Sequence, residues 1–323
     1  MAEHPQIFND GWEYGKLPEI DERRNIDYAT MAAVGSCFAR NLNRWLGFHG
    51  LTDREMPWGI LYNPFSIQGE IARTYNNEVA ELARDNVLRE VGSDGLVRYR
   101  DPWRTWITAD NKRDLNDTNT AFDAHVRNFL SNTRSFLITL GLAEVWSPED
   151  KSITLNHVPV GSIRAGDRAW RPRFANVTEV RSSLEATIDS IRTHITGTGP
   201  IVFTLSPVPL KFTASGLNIR EANNRSKATL AVALGEVAAS QSNTEYFPSY
   251  EMVQALAETD TPVWQADGRH VTAAVVDRVS RTFVRAHGRP TISTYDNQDT
   301  FWVPRVDANG KIVGRLYTDG SEA

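Results

Sequence analysis

The stretch from Met31 to Leu42 constrains this chain more than any other. Met31 to Val34 is a short apolar run, the mark of a strand buried on both faces of a parallel sheet. Gly35 supplies the sharp turn that ends it. Phe38, Leu42, Trp45 and Leu46 then recur at helical spacing, and Gly47 is expected as the left-handed residue that closes the helix. Strand, glycine turn and helix place Ser36 at a helix N-terminus and at the carboxyl end of a strand. Backbone N–H groups and the helix dipole favour negative charge there, so open α/β sheets carry reactive groups at that position. Serine is also an ordinary helix N-cap, and this stretch alone does not separate the two roles.

The same alternation repeats along the chain. Phe136 to Leu140, ending on Gly141, reads as a second central strand, Ile201 to Ser206 as a third and Glu245 to Phe247 as a fourth. Asn176 and Glu179 have the spacing of a capping box before a helix with Val180, Leu184, Ile188 and Ile191 inward. Further helices are expected over 66–75, on the face of Phe122, Val126, Phe129 and Leu130, around 226–238, and from Val271 to Gly288 with Val275, Val279 and Phe283 buried. Strands alternating with helices imply right-handed crossovers and a three-layer α/β/α, flavodoxin-like fold with a parallel sheet of about five strands. Asp94-Gly95 between two short runs predicts a hairpin within an inserted region near 86–117. Residues 1–27 read as an extended lead-in, 28–288 as the α/β domain and 289–323 as a tail with an Asn309-Gly310 hairpin.

Composition narrows the function classes. A net charge of −5 gives no basic footprint for nucleic acid. No run of about 18 apolar residues suits a membrane span, and Met1 to Gln6 lack the basic and apolar regions of a signal peptide. Cys37 is the one cysteine, which excludes an internal disulfide and suits a reducing, cytoplasmic setting. No metal-binding Cys/His spacing and no phosphate-binding glycine loop is present, so neither metal nor cofactor is expected. Cys37 is a candidate thiol nucleophile at a helix start, but packing is the commoner role for a small cysteine beside an apolar face.

A second chemical signal lies before the last helix. Asp267 and His270 are three residues apart in a short loop, where a carboxylate can hold one imidazole nitrogen while the other faces a nucleophile. By itself this spacing occurs often by chance. Trp58, Tyr62, Phe65, Trp146 and Tyr250 are candidates for the mouth of a site or for core. Lys211, Arg225 and Lys227 are candidates for an anionic substrate or for a solvated helix start.

A serine after the first strand and Asp-x-x-His before the last helix resemble the SGNH (GDSL-like) hydrolase pattern. More closely, Gly35-Ser36-Cys37-Phe38-Ala39 resembles the signature of the GSCFA family, itself similar to that superfamily. The resemblance continues through Tyr62-Asn63-Pro64, Thr139-Leu140-Gly141, Ser206-Pro207-Val208-Pro209, Tyr246 to Glu251 and Asp267 to His270, in the family's order over roughly 28–285. It implies an SGNH-like serine esterase with Ser36 as nucleophile, His270 as general base and Asp267 as its orienter. The expected substrate is an O-acyl group, foremost acetyl, on a carbohydrate or small ester. The alternatives are an O-acyltransferase acting on a glycan, or a non-catalytic glycan-binding protein of the same fold. Ser36 and His270 are then expected within hydrogen-bond reach. The Ser36 N–H, Gly59, Asn63 and Gly141 are the expected oxyanion donors. Glu144 is a candidate acid, or with Trp146 a part of the pocket wall. The chain departs from the superfamily at Gly141-Leu142-Ala143-Glu144, where a Gly-x-Asn segment is expected, so no asparagine follows the second strand.

Overall fold

A computed structural model of the chain describes residues 20, 23–167, 169–195, 197 and 199–288, together with the backbone of 302–306 and 312–317. Most of the expected lead-in and the turn of the terminal hairpin lie outside these residues. In chain order, β1 (Met31–Gly35) leads into α1 (Cys37–Phe48), followed by α2 (Pro64–Arg73) and α3 (Asn77–Asp85). The inserted region forms the antiparallel strands β2 (Leu88–Val91), β3 (Val97–Arg100) and β4 (Thr108–Ala109). Next come α4 (Lys112–Ser131), β5 (Ser135–Leu140), β6 (Glu144–Ser147), α5 (Val160–Arg164) and β7 (Arg171–Phe174). The remainder is α6 (Val177–His194), β8 (Ile201–Leu205), α7 (Ile219–Ser240), β9 (Thr244–Phe247), α8 (Ser249–Ala257) and α9 (Ala273–Ala286). Last are β10 (Trp302–Val306) and β11 (Ile312–Tyr317), which pair antiparallel as the terminal alternation suggests.

The central sheet has the order β1-β5-β8-β9 and every pair is parallel. Successive side chains point to opposite faces, so the apolar runs serve two layers at once. Ala32, Val34, Phe136, Ile138 and Phe203 pack against α2, α4, α6 and α7. Met31, Ala33, Leu137, Val202 and Phe247 pack against α1, α8 and α9. The three-layer α/β/α arrangement is therefore the one the sequence predicts. Among the described residues the sheet has four strands, not about five. Next to β1, where a further strand would sit, runs the segment 57–63, joined to β1 by Leu61 N–H to Gly35 O at 2.9 Å. Pro57 and Gly59 interrupt this segment and Pro64 ends it by opening α2, and proline has no N–H for a ladder.

Local signals fared well where they were steric. The Asn176–Glu179 capping box is present with both reciprocal bonds, and Gly95 has φ +78° in the hairpin after β2. Gly47, however, does not end α1. The helix runs on to Phe48, and the left-handed residue is Gly50, at φ +68°, with Leu51 N–H closing onto Leu46 O at 2.9 Å. The inserted strands are tied down by a buried ionic cluster. Arg104 donates to both Glu70 carboxylate oxygens at 3.0 Å, and Arg73 to Asp101 at 2.7 Å. Burial pushes the Glu70 pKa up, opposed by Arg104 and Arg73; breaking such a group on one side costs more than its presence contributes.

Candidate functional site

The site grows from the turn between β1 and α1. Gly35 has φ +125°, and a Cβ there would lie 2.1 Å from Thr139 O on the neighbouring strand. Only glycine allows this crossing. Ser36 follows as the N-cap of α1 and is 3% exposed. Its Oγ accepts the Phe38 N–H at 3.2 Å, and its own N–H donates to Thr139 O at 3.1 Å.

The opposite wall comes from Tyr62 and Gly141. Tyr62 O accepts the N–H groups of both Gly141 (3.0 Å) and Leu142 (2.8 Å). A Cβ on Gly141 would lie 2.9 Å from that oxygen and 3.7 Å from the Ser36 Cβ, so glycine permits the close approach. These bonds correct the expected oxyanion donors. The N–H groups of Ser36 and Gly141 are both committed to backbone carbonyls. Gly59 lies against the indole of Trp106, 2.3 Å from where its Cβ would be, and serves packing. Asn63 caps α2 through Ser66 N–H and donates to Leu155 O at 2.9 Å. Asn156, which sequence reading passed over, holds this loop: it accepts the Tyr62 N–H at 2.8 Å and donates to Ile60 O at 2.8 Å. An asparagine in a loop with no periodic neighbours gives no signal of such a role.

Asp267 and His270 meet in the loop before α9. Asp267 Oδ2 lies 2.5 Å from His270 Nδ1, while Oδ1 accepts the N–H groups of Arg269 (2.9 Å) and His270 (3.0 Å). These backbone bonds, with the imidazole, hold the Asp267 carboxyl well below the usual range. The contact leaves His270 Nε2 without a hydrogen bond among the described residues. Between them, Ser36 and His270 make no hydrogen bond; the Ser36 hydroxyl is turned to its capping N–H instead. Arg269 links this loop to the sheet end by donating to Pro209 O at 3.0 Å.

Lys227 is the largest surprise. It lies on the buried face of α7, three and seven residues before Leu230 and Leu234, and is 3% exposed. Its Nζ donates to Gly141 O at 2.9 Å and Ser206 O at 2.7 Å, joining the ends of β5 and β8. Among the described residues no carboxylate pairs with it. Burial lowers its pKa to about 7, opposed by the nearby Cys37 thiol. A charged residue at a buried helical position was the signal available in the sequence. Neighbouring Ser226 accepts the Ala143 N–H at 2.6 Å, and Arg225 stacks over Phe174. Cys37, at the start of α1, is half-buried. Burial raises its pKa, opposed by Arg40, Arg269 and Lys227 in that order.

At Leu142 opens a cleft of about 350 Å³, counted out to solvent, whose lining includes Asn63, Glu144, Trp146, His157 and Phe212. Glu144 is no free acid: its carboxylate accepts Thr213 Oγ1 at 2.7 Å and Ala214 N–H at 2.6 Å, forming the wall. Of the aromatics, Trp58 is core, Phe65 and Tyr250 pack partly against it, Trp146 lines the cleft, and Tyr62 is partly exposed outside its lining. Among the described residues no group of three His, Cys, Asp or Glu could hold a metal, and no helix is long and apolar enough to cross a membrane.

The chain belongs to the GSCFA family, whose model matches residues 30–283. No curated protein and no solved structure matches it.

Proposed function

We propose that this GSCFA chain is a serine ester hydrolase that removes O-acyl groups, foremost acetyl, from a carbohydrate or small ester. The observation that carries the reading is the Asp267–His270 pair. A carboxylate locked by two backbone N–H groups fixes one imidazole nitrogen and leaves Nε2 to act as base. Arg269, within that pair's loop, donates to Pro209 O beyond the carboxyl end of β8, the same sheet edge at which Ser36 follows β1, which supports a shared mouth.

In this mechanism Ser36 leaves its cap, its Oγ attacks the ester carbonyl, and its proton passes to His270 Nε2. The tetrahedral intermediate collapses, and the imidazolium returns the proton to the departing alcohol. Water, deprotonated by the same nitrogen, then releases the acid from Ser36. With the Ser36 and Gly141 N–H groups committed, the Cys37 N–H is the oxyanion donor. It follows the nucleophile directly and, as the first residue of α1, has no intrahelical partner.

A fluorophosphonate tests this reading, because Oγ attack on phosphorus with loss of fluoride marks a nucleophilic serine. The expected result is an adduct on the Ser36 peptide that is absent in Ser36→Gly and formed far more slowly in His270→Gln. No adduct on native protein overturns it. With an acetyl ester and an added oligosaccharide, acetylated sugar outpacing free acetate would turn the reading to O-acyl transfer.

A further inference from the structure

The cleft at Leu142 borders segments from both halves of the proposed machinery. Its lining residues Asn63 and Leu142 directly follow Tyr62 and Gly141, which are joined through Tyr62 O and the Gly141 N–H. Gly141 is also the residue whose added Cβ would lie 3.7 Å from the Ser36 Cβ. Leu210, a third lining residue, follows Pro209, whose carbonyl accepts Arg269 of the Asp267–His270 loop at 3.0 Å. A group in the cleft therefore sits one residue away from a neighbour of Ser36 and from the anchor of the His270 loop.

The walls offer two kinds of contact. Trp146 packs partly buried against the cluster of Leu88, Trp103 and Leu155 and also lines the cleft. Phe212 is 56% exposed, and the next two residues tie it to the wall through Thr213 Oγ1 and the Ala214 N–H, both donating to Glu144. The polar side chains keep capacity as acceptors. Each Glu144 carboxylate oxygen takes one hydrogen bond, whereas a carboxylate has about four lone-pair sites. His157 has a mostly buried side chain, and neither ring nitrogen has a hydrogen-bond partner among the described residues. Its Nε2 lies 3.6 Å from Glu90 Oε1, and Glu90 is itself held by Arg100 Nε at 2.6 Å. A carboxylate on that side favours the proton on Nε2 and leaves Nδ1 as an acceptor. Among the described residues no lysine or arginine lines the cleft.

These groups select by chemistry. Acceptors without a cation disfavour a carboxylate or phosphate, and a bare hydrocarbon leaves them unpaired. A pyranose ring presents C–H faces to the aromatic side chains and hydroxyl donors to the acceptors. Counted out to solvent, 350 Å³ is near the lower limit of small-molecule sites, which suits one ring and not a chain of them.

Resting on the serine-hydrolase reading for the chemistry at Ser36, we infer that this cleft holds the alcohol half of the ester as a single neutral pyranose ring, stacked on Trp146 and Phe212 with hydroxyl groups donating to Glu144 and His157. Phe212 is then a specificity-determining contact, and acidic sugars are poor ligands.

Sugars that carry no ester test the cleft apart from catalysis. Methyl glucopyranoside, methyl galactopyranoside and methyl mannopyranoside are each titrated onto the protein and followed by saturation-transfer NMR. At least one should saturate with a Kd on the order of 1–10 mM. Phe212→Ala, a change at an exposed position, should weaken that sugar by about tenfold. The uronate of the same sugar should bind about tenfold more weakly than the neutral form. Saturation by none of the three, or an unchanged Kd in Phe212→Ala, overturns the subsite. A uronate that binds as tightly as its neutral parent does the same, as does benzyl alcohol displacing the sugar at concentrations below the sugar's own Kd. Sugar binding that Phe212→Ala weakens, without any Ser36 fluorophosphonate adduct in the native protein, rejects the hydrolase reading and spares the sugar cleft. An adduct without sugar binding does the reverse.

Discussion

Lys227 Nζ donates to Gly141 O at 2.9 Å, across 86 residues of sequence, and Gly141 in turn gives its N–H to Tyr62 O. One buried amine thereby fixes the strand end that faces Ser36. Lys227→Met should leave two buried carbonyls unpaired and lower stability by about 1–3 kcal/mol. The pH dependence separates this from simple loss of packing. The folded pKa, about 7, lies below the ordinary 10.5, so between those values the unfolded chain binds more protons. Stability of the native protein should rise from pH 7 towards 10 by more than that of Lys227→Met. Denaturant melts at pH 7 and 9.5 check it; parallel curves would show that the amine is not depressed.

Replacing glycines should rank by what the new Cβ meets. Gly35→Ala forces a left-handed backbone and a contact with Thr139 O at 2.1 Å. A loss above about 4 kcal/mol, or no folded protein, is expected. Gly50→Ala meets open space at φ +68° and should cost only about 1 kcal/mol. Equal effects would contradict the close approach of Gly35 to Thr139 O.

Ser36 has two roles that different substitutions separate. Ser36→Ala removes the Oγ that accepts Phe38 N–H and should cost about 1 kcal/mol, whereas Ser36→Gly should cost a few tenths. Both should lower kcat/KM for ester hydrolysis by a factor on the order of 10³ or more. Activity tracking stability across the pair would mean that Ser36 is a cap alone.

In Asp267→Asn the amide oxygen can still accept the two backbone N–H groups, while the oxygen facing His270 Nδ1 is replaced by an NH2 donor. The hydrolysis rate should fall by roughly 10²–10⁴ with the melting temperature little changed, because both side chains are well exposed. A rate within twofold of the native one removes Asp267 as the orienter.

Glu144→Ala releases the 213–214 segment from the cleft wall. KM should rise several-fold while kcat stays within about threefold, the pattern of lost ground-state binding. A collapse of kcat with KM unchanged would restore Glu144 as a participating acid.

What the sequence determined by itself was set by short-range sterics and periodicity. The glycine turn at Gly35, the serine cap at Ser36, the Asn176–Glu179 box and the Asp267–His270 pair each involve residues within a turn of one another. So do the alternating apolar faces of β1, β5 and β8, which fix the three layers. The tertiary structure alone decided which backbone groups were already taken. Thr139 O claims the Ser36 N–H, Tyr62 O claims the Gly141 N–H, and Leu155 O claims the Asn63 amide. It also turned Lys227 inward, its Nζ bridging Gly141 O and Ser206 O. Donors, acceptors and charges act through space, and their partners came from chain segments brought together only when the sheet was assembled.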